Sequence, residues 1–167
     1  MTGLQVEEWE TDVPEFVPPA TMKLMQRWGG DSFLNACDTS AEFHAFLSDL
    51  PADVAGVLCA DSLLRDVMNG TFDQYFHNSF GITITRAISA MQAFGLSGHA
   101  EAATHALMVF GADFPEDRLA RMDRMDDLPE TAFDEATDQF HAAEDSHPIG
   151  MHEVLQRQAN QLLSKAH

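Results

Sequence analysis

The chain has 167 residues, 45% of them hydrophobic, including 12 Phe and 9 Met; this supports one folded domain with a core and excludes a disordered acidic tail. Twenty-seven acidic residues against nine basic ones give a formal net charge of −18, so the surface repels nucleic acid and anionic membranes and attracts basic partners. No apolar run approaches the ~20 residues of a membrane span, and the first residues lack the regions of a signal peptide, so we expect a cytoplasmic protein.

Residues 1–19 are predicted to form an acidic arm that precedes a helical domain of residues 20–167. The arm contains five acids, no base and three prolines, and proline opposes regular helix. Trp9, Phe16 and Val17 are its bulky apolar residues. We expect these three to hold the arm against the domain.

From Ala20 the apolar residues recur at helical spacing. A first short helix is predicted to end at Gly29, because glycine commonly follows a helix. Ser40 is a suitable N-cap for a second helix. Pro51 can open a third, which ends near Asn69.

Two cysteines, Cys37 and Cys59, lie among apolar neighbours and form no CxxC pair. We expect two buried free thiols, because free cysteine is among the most buried residue types. A disulfide or a catalytic thiol is the alternative.

The second half of the chain is also predicted to be helical. Residues 82–85 alternate like a strand, but Ile84, Ile88 and Met91 recur at helical spacing, so a helix is expected. Four further helices are expected to begin at Ser97, at Pro115, at Pro129 and after Pro148, and in the second of these the inward residues are Leu119, Met122 and Met125. The predicted fold is therefore all-α, a single compact domain of about eight helices.

Acidic residues concentrate in the carboxyl half. Between Asp113 and Asp145 there are twelve acids and only three bases, all arginine, so this stretch carries half of the net charge. If Pro129 opens a helix, Glu130, Asp134 and Asp138 share one face. Like charges four residues apart cost roughly 0.2–0.5 kcal/mol per pair, which mixed charges would avoid. The pattern therefore indicates that this acidic face has a function.

The predicted binding residues are exposed acids of this stretch: Asp123, Asp126, Asp127, Glu130, Asp134 and Asp138. Acids four apart on a helix repeat about every 6 Å, whereas duplex DNA carries one charge per ~1.7 Å. One row is therefore too sparse to stand in for DNA, and several helices or two subunits would be needed. A merely solvated acidic face is the alternative.

The aromatic segment of residues 68–81, MNGTFDQYFHNSFG, carries the most specific motif. It resembles the signature of the DNA-mimic protein family, approximately Asn-Asn-Gly-Gly-Phe-x-Gln-Tyr-Phe-x-Asn-Ser-x-Gly. Met68 and Thr71 depart from it. The matching residues are Asn69, Gly70, Phe72, Gln74, Tyr75, Phe76, Asn78, Ser79 and Gly81. The resemblance extends over roughly residues 60–145.

This resemblance implies an all-α fold, dimerisation, no enzymatic activity and a surface that imitates the charge of DNA. The motif also has a structural interpretation. Gly70 suits a turn with positive φ, and the three aromatic residues, spaced i, i+3 and i+4, would fill a core. The amides of Gln74 and Asn78 can satisfy local backbone groups. A ligand site is the alternative.

Motifs of common enzymes are absent: the sequence has no Walker loop, GxGxxG, GxSxG or HExxH. His141, Glu144, Asp145 and His147 could hold a divalent metal, but eight histidines in an acidic chain make such clustering common by chance. His77 follows Asp73 by four residues but has no evident nucleophile as partner. We therefore predict no enzyme, no metal and no cofactor.

Three functions remain open. The first is a DNA mimic that covers the DNA-binding face of a basic protein, for example a helix-turn-helix regulator, and binds neither nucleic acid nor membrane itself. The second is an immunity protein that inhibits a basic nuclease toxin by the same electrostatics. The third is a structural or small-molecule-binding domain with a salt-adapted surface.

Overall fold

The computed structural model describes residues 16–165, and all regular structure in that range is helical. The helices are α1 (Ala20–Trp28), α2 (Asp31–Ala36), α3 (Ser40–Ser48), α4 (Ala52–Asn69), α5 (Phe72–His77), α6 (Ile84–Ala93), α7 (Ser97–Met108), α8 (Arg118–Asp126), α9 (Asp134–Ser146) and α10 (Gly150–Ser164). A 3₁₀ segment, Ser79–Thr83, joins α5 to α6. The predicted all-α class is confirmed, and eight of these ten helices have nine residues or more.

The central element is α4, of whose 18 residues twelve are buried. A helix that is apolar on most sides is one surrounded by others, and α1, α6 and α10 all pack against it. Gly56 sets the approach of α6, because a Cβ there would lie 3.2 Å from the Cβ of Ala90. Small residues thus let the two helices pack closely.

The opposite end of the domain is built by α7, which packs against both α6 and α9. Gly98 lies against Ala143 of α9, where an added Cβ would come within 3.1 Å of the alanine Cβ. The buried alanines of α7 continue this close contact. The buried residues of both ends form one continuous hydrophobic core.

Residues 82–85 are helical, as predicted against their strand-like alternation. Ile82 and Thr83 belong to the 3₁₀ segment and Ile84 begins α6. All three side chains are buried. Burial on a helical face therefore outweighs the local β-propensity of these residues.

Two predicted helix starts were wrong. Pro115 and Pro129 were expected to open helices, but α8 begins at Arg118 and α9 at Asp134. Pro129 instead opens a turn, in which its carbonyl accepts a hydrogen bond from the Ala132 amide at 3.0 Å. The fixed φ of proline suits the start of a turn as well as the start of a helix, so the local sequence does not distinguish them.

The inward face of α8 also differs from the prediction. Leu119 was expected inside, but its side chain is 75% exposed, whereas Arg121 is fully buried and Met125 nearly so. Two residues along a helix correspond to about 200° of rotation, so Leu119 lies opposite Arg121. The inward orientation of Arg121 therefore turns Leu119 to the surface.

The predicted acidic arm lies largely outside the described residues, including Trp9. Phe16 and Val17, which were expected to hold it against the domain, are 74% and 72% exposed, so they supply little anchorage. Within residues 16–165, no helix is both long and apolar enough to cross a bilayer.

Candidate protein-binding surface

The aromatic residues of the motif form the core around α5. Phe72, Tyr75 and Phe76 are fully buried, which confirms the prediction that they fill the interior. The Phe76 ring lies 4.9 Å from that of Phe110 and 5.2 Å from that of Phe133. The motif thus joins α5 to the segments before α8 and α9.

The polar residues of the motif act differently from expectation. Gly70 was expected to need a positive φ, but its φ is −157°. A Cβ there would lie 2.0 Å from Oε1 of Gln74, so a larger residue at position 70 would displace this exposed glutamine side chain. The Asn78 amide was expected to satisfy backbone groups, but it donates to the Asp66 carboxylate at 3.2 Å.

Thr71 stands where the family signature has a second glycine, and it caps α5. Its Oγ1 accepts a hydrogen bond from the backbone N–H of Gln74 at 3.2 Å. Threonine is a preferred N-cap residue. This departure from the signature therefore preserves the start of the helix.

Arg121 is the main residue that the sequence interpretation missed. Its guanidinium donates to the carbonyls of Phe76 at 2.7 Å, Asn78 at 2.9 Å and Glu116 at 2.8 Å, with a longer bond to Pro115. Burial lowers the pKa of Arg121 to about 10, so the group stays charged near neutral pH. Because the carbonyls of Phe76 and Asn78 lie at the end of α5, the charge also meets the negative end of a helix.

Gly81 makes room for this arginine. An added Cβ at Gly81 would lie 2.9 Å from Nε of Arg121 and 3.0 Å from the carbonyl oxygen of Tyr75. The last glycine of the motif and Arg121 therefore form one packed unit. The sequence contained an indication that Arg121 faces inward, because Arg121 precedes the buried Met125 by one helical turn. Its charge suggested a surface position instead.

All three arginines of the acidic stretch donate to main-chain carbonyls. Besides Arg121, Nε of Arg118 donates to the carbonyl of His77 at 3.0 Å, and Nη2 of Arg124 donates to that of Phe110 at 3.2 Å. No salt bridge in the described region involves these arginines. The three arginines of the stretch thus donate to the backbone, and none of them forms an ion pair with its carboxylates.

The six predicted binding acids are all exposed. Three lie on or just after α8, one in the turn that follows, and two on α9: Asp123, Asp126, Asp127, Glu130, Asp134 and Asp138. Within residues 16–165 none of the six takes part in a salt bridge. Both helices pack on α5, so the motif core supports both groups of acids.

The predicted three-residue row is shortened. Glu130 lies in the turn before α9, and only Asp134 and Asp138 share a face of that helix. The error follows from the misplaced helix start at Pro129. The acids still form an exposed series, but it passes from α8 through a turn into α9 rather than along one helix.

Three other acids of the stretch, Glu116, Asp117 and Glu144, accept hydrogen bonds from distant parts of the domain. The Glu116 carboxylate accepts hydrogen bonds from the Ser40 hydroxyl and from Nε2 of His44, the latter at 2.8 Å. The Ser40 hydroxyl lowers the pKa of Glu116 more than burial raises it. Ser40 was expected to cap α3, but the preceding Thr39 does so, which leaves the serine hydroxyl for Glu116.

The cluster considered for a metal is arranged to begin α10. Glu144 contacts Nε2 of His99 at 2.7 Å and accepts the Met151 amide at 3.0 Å. Nδ1 of His147 accepts the Gly150 amide at 3.0 Å. Among the residues the structure describes, no group of three or more His, Cys, Asp or Glu side chains is placed to hold a metal ion.

Both cysteines are free and buried, as predicted. Burial raises the pKa of Cys37 to about 12 and also raises that of Cys59. A reactive cysteine needs a depressed pKa and access to solvent. Neither thiol therefore suits nucleophilic chemistry.

Comparison with known protein families identifies the family of this chain. The model described as DMP19-like protein matches residues 48–158, from the end of α3 into α10, which is more than half of the chain. The chain belongs to the DMP19-like protein family. The match contains the whole aromatic motif and the whole acidic stretch, and it agrees with the family resemblance predicted from the motif. No curated protein and no solved structure matches significantly.

Proposed function

We propose that this member of the DMP19-like family is a DNA mimic that binds the DNA-binding face of a basic protein and blocks it. The observation that carries the proposal is the state of the arginines in the acidic stretch. Each donates to backbone carbonyls, so the exposed carboxylates beside them keep their charge available. Carboxylates that are not paired on the protein's own surface remain available to the lysines and arginines of a partner.

The carboxylates take the place of DNA phosphates as partners for Lys and Arg. The net charge of −18 attracts a basic partner over long range and speeds the encounter. Asp134 and Asp138 lie about 6 Å apart along α9, still sparser than DNA. A second subunit, as the family resemblance implies, would add a second series. No catalytic step and no direct contact with nucleic acid belong to this function.

The test is capture of DNA-binding proteins from a cell lysate at low salt, with and without competing duplex DNA. We expect retained proteins to be basic DNA-binding proteins that duplex DNA displaces. If no DNA-binding protein is retained, or if duplex DNA does not displace the retained proteins, mimicry is contradicted.

Charge-matched variants locate the surface. In one variant Asp123, Asp126 and Asp138 become Asn; in the control Asp49 and Asp73 become Asn and Glu101 becomes Gln, all of them exposed residues outside the stretch. Both variants have the same net charge. We expect only the first to lose the captured proteins, because local charge density matters at contact. Equal loss in both would show that net charge alone is responsible.

A further inference from the structure

The acidic surface contains an apolar side chain that charge mimicry does not require. Leu119 is 75% exposed, the highest exposure of any large apolar residue in the described part of the chain. It lies on the solvent face of α8, one turn before Asp123 and two turns before Asp126. The residue therefore stands at one end of the candidate binding surface.

A groove of about 510 Å³ lies beside Leu119. The side chains that line it come from the start of α8 and from the loop before α3: Asp38, Thr39, Asp117, Arg118, Leu119 and Ala120. Its volume falls within the range of about 300–1,000 Å³ that is typical of small-ligand pockets. The groove thus offers a place for a side chain from another molecule.

Hydrogen bonds fix the two walls of the groove against each other. The Arg118 amide donates to the carbonyl of Asp38 at 2.9 Å, and the Ser40 amide donates to Oδ1 of Asp117 at 2.7 Å. The Asp38 carboxylate also accepts the Ser79 hydroxyl at 2.6 Å. A groove held in this way is preformed, so binding in it costs little ordering of the protein.

The charges around the groove indicate the chemical character of its partner. Asp38 and Asp117 are exposed at its edges, and Nε of Arg118 is bound to the His77 carbonyl. Asp123 continues the negative charge along α8. An apolar centre within a charged rim is the usual arrangement of protein interfaces. The complementary surface has an apolar side chain between lysines or arginines.

We propose that the Leu119 groove binds an amphipathic basic helix, whose apolar side chain packs against Leu119 and Ala120 while its cations meet Asp38, Asp117 and Asp123. This inference rests on the proposed function and names the kind of partner. The partner's DNA-binding element carries an exposed apolar residue among its bases. Contact with Leu119 then selects this partner among the many basic proteins that charge alone attracts.

The test uses two labelled helical peptides of equal length and equal positive charge. One carries a single leucine, and the other an alanine at the same position, on the face between its lysines. Fluorescence anisotropy gives the affinity of each for the wild-type protein, for Leu119→Ser and for Met108→Ser. Met108 is the matched control, because it is 67% exposed but lies on α7 outside the groove.

We expect the wild type and Met108→Ser to bind the leucine peptide about tenfold more tightly than the alanine peptide, the order expected for one buried leucine. Leu119→Ser should bind both about equally. This preference should persist at high salt, because an apolar contact is not screened. When the leucine peptide is added to the wild type, the NMR chemical shifts of the backbone amides should change at residues 38–39 and 117–120.

Each other outcome overturns the proposal, and the outcomes separate it from the proposed function. If both peptides bind equally to the wild type in a salt-dependent way, or if Leu119→Ser keeps the preference, the groove is not the binding site, although DNA mimicry stands. If neither peptide binds at low salt, both proposals fail. If Leu119→Ser leaves peptide binding unchanged but dissociates a homodimer in sedimentation experiments, a second copy of the chain occupies the groove.

Discussion

Arg121 shows how one side chain can organise the family motif. A buried cation normally needs an anionic partner, because desolvation costs several kcal/mol. Here the partners are carbonyl groups at the end of α5 and before α8. The guanidinium has five donors in a fixed plane, so it can join two backbone segments that have no regular hydrogen bonds to each other.

Replacing Arg121 should therefore destabilise the domain strongly. In Arg121→Met the carbonyls of Phe76 and Glu116 lose the guanidinium donor, whereas that of Asn78 keeps the backbone N–H of Gly81 at 3.1 Å. Each unsatisfied buried group costs about 1–3 kcal/mol. We expect a loss of about 3 kcal/mol or more in the free energy of unfolding, measured by urea denaturation. Arg124→Met, which removes one hydrogen bond at an exposed residue, should cost about 1 kcal/mol or less. Similar losses in the two variants would contradict this role.

His99 should make stability depend on pH. Burial lowers the pKa of His99, and the contact with Glu144 opposes this only in part. The unfolded chain therefore binds a proton at higher pH than the folded protein does. Below the ordinary histidine pKa of about 6.5, the folded state should lose stability as pH falls towards the lowered value.

The measurement is the free energy of unfolding across this pH range for the wild type and for His99→Gln, which can still donate to Glu144. The wild type should show the steeper fall on acidification. Every other titratable group is present in both proteins, so the difference between the two curves reports His99 and its contact with Glu144. Parallel curves would exclude the effect.

At the scale of elements, the two acids of α9 should have opposite effects on stability. Asp134 lies in the first turn, where a negative charge favours the helix dipole by about 0.3–1 kcal/mol. Asp138 lies one turn later and opposes Asp134 at a cost of roughly 0.2–0.5 kcal/mol. Asp134→Asn should therefore lower the melting temperature slightly, and Asp138→Asn should leave it unchanged or raise it.

Thermal unfolding by circular dichroism checks this pair, with Glu130→Gln as the control. Glu130 lies outside the helix, so its substitution should shift the midpoint least. The variant that combines Glu130→Gln, Asp134→Asn and Asp138→Asn should leave the fold intact, with the two effects on α9 largely cancelling. Stabilisation by Asp134→Asn would show that repulsion outweighs the dipole.

The elements that the sequence could predict are those in which local pattern and burial agree. The motif spacing placed Phe72, Tyr75 and Phe76 in the core, and helical periodicity correctly overruled the strand-like residues 82–85. Both predictions rested on apolar residues, whose burial has one dominant cause.

The errors occurred where tertiary contacts decide the outcome. No local pattern shows that Arg121 meets carbonyls from α5, 45 residues earlier at Phe76, yet this contact turns Leu119 outwards. The surface acids were identified by composition, and their exposure was correctly expected. The prediction that Glu130 shares one row with Asp134 and Asp138 was wrong. The turn at Pro129 delays the start of α9 to Asp134, so Glu130 lies before the helix.

At the scale of the whole molecule, the charge balance leaves repulsion between carboxylates largely uncompensated. Residues 16–165 contain four close ion pairs, of which two involve histidine and are complete only when it is protonated. The other two join Arg65 to Asp61 and Arg157 to Glu153 within single helices. Few attractive contacts therefore exist for salt to weaken, while many repulsive ones exist for it to relieve.

The protein should consequently become more stable as salt is added. Raising NaCl from about 10 mM to about 0.5 M shortens the screening length from about 30 Å to a few ångströms, which suppresses repulsion across the acidic surface. If this relieves about 1 kcal/mol, the melting temperature should rise by about 2–4 °C for a domain of this size. KCl should act equally, because the effect depends on ionic strength. The variant with Asn at positions 123, 126 and 138 should show a smaller rise, since it begins with less repulsion. A melting temperature that falls or stays constant with salt would mean that the carboxylates are compensated by contacts other than these ion pairs, and it would remove the unneutralised surface on which DNA mimicry depends.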